Sequence, residues 1–101
     1  MSVRLRFART PWSRAIGLLG RRSFPADCAL VIEGCDAIHT WFMAMAIDVA
    51  FIDEHYRVVA LHERVAAGRV LRHPGAFAVV ELGAGAAQSA GLTTGSMLTP
   101  I

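Results

Sequence analysis

Ile47-Asp48-Val49-Ala50-Phe51-Ile52, then Asp53-Glu54-His55-Tyr56, then Arg57-Val58-Val59-Ala60-Leu61-His62, form the part of the chain with the plainest structural signature. Two apolar segments rich in β-branched residues flank a short polar cluster, the pattern of two strands joined by a turn. An extended 47–52 puts Ile47, Val49 and Phe51 on one side and Asp48, Ala50 and Ile52 on the other. A carboxylate that shares a face with Ala and Ile must sit at the rim of a sheet or be buried with a partner.

The same kind of segment recurs on either side. Ile38–Met43 and Ala29–Ile32 read as strands, with a turn at Gly34 between them. Val3, Leu5 and Phe7 alternate with Arg4 and Arg6, the period of a strand with one wet face. Thr10-Pro11 opens a helix over 11–19: Thr is a good N-cap, Pro fits the first helical position, and Gly20 stops it. Downstream, Phe77–Leu82 reads as a strand, Gly83-Ala84-Gly85 as a turn, Ala86–Ala90 as one helical turn, and Ser96–Thr99 as a last short strand. Residues 66–75, with Gly68, Pro74 and Gly75, read as irregular. About seven short strands and one longer helix, with no βαβ rhythm, exclude a doubly wound parallel sheet. The expected fold is mainly β (a β-dominated α+β class): a single compact sandwich or barrel-like domain over 1–101 with one short N-terminal helix.

Composition agrees with this reading and narrows the functions. Of 101 residues, 54% are apolar and 18% charged, which excludes intrinsic disorder. The apolar surplus leads us to expect a lined pocket or a self-association surface, for instance a homodimer through an exposed strand edge. The net charge of +2 is uneven: Arg4, Arg6, Arg9, Arg14, Arg21 and Arg22 precede the first acid, Asp27. No nucleic-acid motif is present, which argues against a nucleic-acid partner. Residues 1–10 lack the continuous apolar run of a signal peptide, and the uncharged last 20 residues are too broken by Gly, Ser, Thr and Gln for a membrane helix, so a cytoplasmic location without membrane contact is expected. Cys28 and Cys35 read as buried or half-buried thiols, and no spacing fits a metal or cofactor site.

Several of these runs carry a likeness to a known family. Ser13-Arg14-Ala15-Ile16-Gly17-Leu18-Leu19-Gly20-Arg21 resembles the "ERxxGLMxR" helix of domain of unknown function 192. Ile38-His39-Thr40-Trp41-Phe42-Met43 and Ile47–Asp53 resemble that family's aromatic-Met stretch and its "IDxxFxD". Val79–Gly85 is similar to "VLELxAG", and Gly91–Gly95 to the "GixxGD" ending. The blocks follow the family's order and cover residues 8–98. The resemblance implies a compact β sandwich or barrel-like domain with a helix near its N-terminus, in a bacterial and archaeal family, and it implies no reaction. The chain departs from the pattern at Ala44, where Lys or Arg is usual, at Ala46, where Pro is common, and at Ser96, where Asp is common.

The residues able to carry chemistry are few. Asp48 is expected to accept from an arginine or from backbone N–H groups and so fix a helix or turn. Glu81 alternates with Phe77 and Val79 and falls under the same argument. Arg14 and Arg21, seven apart, share a helix face, and one of them is expected to pair with Asp48 or Glu81. His39 shares its face with Trp41 and Met43 if that segment is extended. These residues, namely His39, Trp41, Met43, Asp48, Arg14, Arg21 and Glu81, form the candidate binding set. The catalytic alternative takes Cys35 and His39 as nucleophile and base with Asp48 orienting the ring. His55, His62 and His73 read as solvated residues in or beside turns. Gly83-Ala84-Gly85 is a weak candidate for an anion cradle and a better one for a tight turn. With no complete catalytic constellation, the leading expectation is a non-enzymatic module that binds a small ligand or a protein. The alternatives are a small hydrolase or transferase using His39 and Asp48, and a structural subunit that dimerises.

Overall fold

The computed structural model describes residues 4–7, 28–40 and 45–98. Among these residues the elements are β1 (Arg4–Phe7), β2 (Cys28–Glu33), β3 (Ala37–His39), β4 (Ile47–Ile52), β5 (Val58–Val65), β6 (Val70–Arg72), β7 (Ala78–Gly83) and a single short helix, α1 (Ala86–Ser89). The domain is mainly β, as its alternating segments require.

Five strands form one sheet in the order β1-β2-β7-β4-β5, and β3 and β6 form a separate two-stranded ribbon. The hairpin expected from 47–62 is present as the antiparallel β4–β5 pair. β7 inserts between β2 and β4, antiparallel to both. β1 lies parallel to β2. Parallel neighbours need a crossover of about a dozen residues or more, and residues 8–27 supply that length. The helix expected over 11–19 falls in this connection, outside the described residues.

β4 and β7 are buried along their whole length because both faces of the sheet are covered. On one face Ala29, Val31, Ala50, Ile52, Val58, Ala78, Val80 and Leu82 meet Ala86 of α1 and Leu98. On the other, Ile47, Val49, Phe51, Val65 and Val79 meet Leu71 of β6, with Ile38 of β3 and Cys35 packed beside them. The ribbon therefore lies over the face opposite α1. That two-sided burial is why IDVAFI and AVVELG carry so few polar residues.

Three segments depart from the sequence reading. Residues 66–75 are not wholly irregular, because Val70–Arg72 pairs with β3 in the register Ala37↔Arg72, Ile38↔Leu71, His39↔Val70. A three-residue strand close to Gly68 and Pro74 has no local signature, and its extended form comes from the partner strand. β5 continues past His62 to Val65, through one register irregularity against β4 between His62 and Val65 and a positive φ of 51° at Arg64. The strand expected near Ser96–Thr99 reduces to one bridge, Arg57↔Met97; Thr99 lies outside the described residues.

Short polar contacts hold the loops. Asp53 Oδ1 accepts the N–H groups of His55 and Arg57 at 2.9 Å each, closing the β4–β5 turn. The Arg57 amide in particular lowers the Asp53 carboxyl below its ordinary value. Buried Thr40 ties the end of β3 to the loop before β6: its hydroxyl donates to the Ala66 carbonyl at 2.8 Å and accepts the Arg69 amide at 3.0 Å.

Candidate functional site

The two acids placed on middle strands have opposite surroundings. Asp48 on β4 is fully buried on the α1 face. Its Oδ1 accepts the Arg64 N–H and its Oδ2 the Ala87 N–H, each at 2.9 Å. One carboxylate thus fastens the β5 bulge and the first turn of α1 to the centre of the sheet, the structural role expected for it with backbone amides as partners. The Ala87 contact also bears on the glycine turn before α1: an amide that an external anion would use there already serves the chain's own carboxylate. Gly85 adopts φ 87°, and a Cβ on it would stand 3.4 Å from the Arg64 guanidinium. Both facts explain a glycine at this turn without a ligand.

Glu81 is the other acid. It lies on β7, between Leu30 of β2 and Val49 of β4 in the paired registers, and is only 5% exposed. Alternation from Val79 places it on the ribbon face, opposite Asp48. Among the described residues no hydrogen bond or ion pair reaches its carboxyl. Burial without compensating donors disfavours the charged form and raises its pKa from the ordinary 4.5 to about 7. One strand further along the same row stands His62, paired with Val49. With neighbouring strands about 4.8 Å apart, Glu81 and His62 are separated by roughly 10 Å across the Val49 side chain.

Sequence position alone suggests that His62 is a solvated turn residue. It is instead half-buried in β5, with its ring edge-on to Phe51 at 5.9 Å. His73 approaches the same phenyl ring at 5.8 Å and is likewise half-buried, not solvated. The available signal for His62 is the alternation of Ala60 with His62, and the register shift between Val58 and Ala60 breaks its continuation back along the strand. His55, by contrast, is exposed as expected, with its Nε2 3.6 Å from Glu54.

The expected nucleophile, base and acid do not converge. Cys35 is a free thiol packed against the cluster on the ribbon face. His39 ends β3 opposite Val70 and is exposed, alternating away from Ile38, which packs toward the large sheet. Asp48 points to the other face of that sheet, with both oxygens engaged. Arg14, Arg21, Trp41 and Met43 lie outside the described residues. Among the described residues no group of three or more His, Cys, Asp or Glu side chains could hold a metal ion, and no helix is long and apolar enough to cross a membrane.

The pattern of domain of unknown function 192, abbreviated DUF192 and described as Uncharacterized ACR, matches residues 1–100. The chain belongs to this family. Two solved structures share the fold of this DUF192 protein. One, from Sinorhizobium meliloti, is described as a candidate transcription regulator; it is 21% identical with a TM-score of 0.79, over 90% of this chain and 76% of its own. The other, a protein of unknown function from Novosphingobium aromaticivorans, has the same identity and TM-score, over 92% of this chain and 71% of its own. At that identity the likeness is one of fold. The comparison with curated proteins finds no match.

The DUF192 departures can now be placed. Ser96, where Asp is common, accepts the Thr93 N–H on its hydroxyl at 3.0 Å, a local loop contact that a carboxylate would also make. Ala46 is exposed at the entrance to β4, and Ala44 lies outside the described residues.

Proposed function

We propose that this DUF192 domain is a non-enzymatic binding module whose polar anchor is Glu81. The observation that carries the reading is a carboxyl buried in a middle strand, flanked by Leu30 and Val49, with no partner among the described residues. A packed sheet accommodates Val or Leu at such a position without desolvating a charge, so an acid left without donors is a candidate to meet an incoming group. The catalytic alternative loses support because Asp48 holds two backbone amides and lies across the sheet from Cys35 and His39.

The test is a two-dimensional amide NMR titration of the full chain with small amines, guanidines, amides, carboxylates and phosphate, run beside ester and phosphoester turnover assays. Saturable shifts clustered at Leu30, Val49, Glu81 and His62, without turnover, are the expected result. Turnover that disappears in a folded His39→Ala variant would overturn the proposal in favour of a hydrolase.

A further inference from the structure

The three residues of β6 are exposed, buried and exposed in turn. Leu71 packs toward the large sheet, while Val70 and Arg72 alternate to the outer side of the ribbon, where Val70 is 54% exposed. The backbone alternates as well. The Thr40 N–H donates to the Arg69 carbonyl and the His73 N–H to the Asp36 carbonyl, each at 2.9 Å. In the same register Ile38 and Leu71 are the hydrogen-bonding pair between these two contacts. The N–H and C=O groups of Val70 and Arg72 therefore point away from β3, into the space beside two exposed residues. Among the described residues β6 pairs only with β3, and no hydrogen bond reaches these four outward groups.

From this edge we infer that an extended acidic segment of a partner protein docks on β6 as a third ribbon strand. The occupant lies on the surface and is independent of Glu81. Its charge follows from the run Arg69-Val70-Leu71-Arg72-His73, which holds two exposed arginines and no acid. Asp36 lies on the β3 side of the ribbon, where its carboxylate accepts the Gly75 N–H at 3.3 Å, and Glu63 belongs to β5. In antiparallel addition the residues opposite Arg72 and Val70 complete all four hydrogen bonds and place their side chains on the outer side. The residue opposite Arg72 comes first along the partner and is acidic. The one opposite Val70 follows two positions later and is apolar, covering the exposed isopropyl group. A second copy of β6 would instead bring two more arginines to an edge that already carries two. The β3 edge differs, because His39 already has an interaction within the chain. The segment recognised is short: the Gly68 N–H is taken by the Thr40 carbonyl, and Pro74 has no N–H to offer.

The deciding experiment titrates the full chain with the capped pentapeptide Thr-Glu-Thr-Val-Thr and follows amide shifts and amide hydrogen exchange by NMR. Saturable shifts centred on Val70 and Arg72, with slowed exchange of those two amides, are expected, while the Leu30, Val49 and Glu81 amides stay in place. Methylating the peptide's Val nitrogen should abolish binding, since that N–H faces β6; methylating the central Thr nitrogen, which faces away, should leave it intact. Arg72→Glu should keep the parent's urea midpoint, weaken this peptide about fivefold and favour the peptide with Lys in place of Glu. The proposal is overturned if Val70 and Arg72 do not respond to peptide, or if the folded Arg72→Glu chain does not change its preference. Equal binding of the Val-methylated peptide would overturn strand addition. Concentration-dependent shifts of Val70 and Arg72 without peptide would assign the edge to a second copy and overturn the acidic partner.

Discussion

Asp48 and Glu81 sit one register step apart on adjacent strands, facing opposite sides of the same sheet. Asp48 has two donors, so its carboxyl tethers β5 and α1 to the sheet. Asp48→Asn turns one acceptor into a donor facing an N–H and should lower stability by about 2 kcal/mol; Asp48→Ala leaves two buried amides unpaired and should lower it by about 3–4 kcal/mol. Urea midpoints at neutral pH check both values and their order. Glu81 acts in the other direction. Its folded pKa, about 7, lies above the ordinary 4.5, so between those pH values the folded state holds a proton that the unfolded state has released. Stability is then full below about pH 4.5 and falls as pH rises through about 7, by roughly 3 kcal/mol at about 1.36 kcal/mol per unit. Glu81→Gln should remove this slope and be the more stable protein at pH 8; parallel pH–stability curves for the two proteins would sink the idea. Alternation alone made it legible that both acids needed an explanation. Their fates were not legible, because Asp48's second donor lies 39 residues away on α1.

At the scale of elements, legibility followed how local the cause of each element was. β4, β7 and the β4–β5 turn are dictated by their own residues, and so is α1, which starts after a glycine in a left-handed conformation. β6 is not: it exists because β3 lies beside it. Nor is the β5 bulge, where Arg64 takes φ 51° and turns its amide toward Asp48. That bulge brings the Arg64 guanidinium over Gly85, so one glycine answers two constraints. Gly85→Ala should cost about 1–2 kcal/mol from its φ alone. Gly68 supplies the comparison, since it has φ 86° and an added methyl group there would meet nothing within 4 Å. Gly85→Ala should therefore be the more destabilising of the two in thermal or urea unfolding. Adding Arg64→Ala should bring the two costs together. Equal costs in the native background would mean that the guanidinium simply moves aside.

The whole molecule explains where the apolar surplus goes. Composition predicts greasy surface and a strand-edge dimer, but double-sided burial of β4 and β7 absorbs much of that surplus. Among the described residues the exposed large hydrophobics are Val70 and Met97. The sheet order leaves β5 at one edge, and the chain covers the start of that edge itself. The Val58 N–H donates to the Ser96 carbonyl at 2.8 Å, the Gly95 N–H to the Val58 carbonyl at 2.7 Å, and the Leu98 N–H to the Tyr56 carbonyl at 2.9 Å. At the far end the Arg64 bulge breaks the regular ladder. A long flat edge invites pairing with a second copy, and this one is blunted at both ends. The β5 edge should therefore not support a dimer in the intact chain. Deleting residues 96–101 frees the Val58 amide and removes buried Leu98. Losing that side chain alone should cost about 2–4 kcal/mol, and the opened edge should add concentration-dependent association. Light scattering across a dilution series, with urea unfolding alongside, separates the two effects. A truncated chain that stays monomeric at all concentrations would show that the bulge alone protects β5, and one as stable as the parent would remove Leu98 from the core.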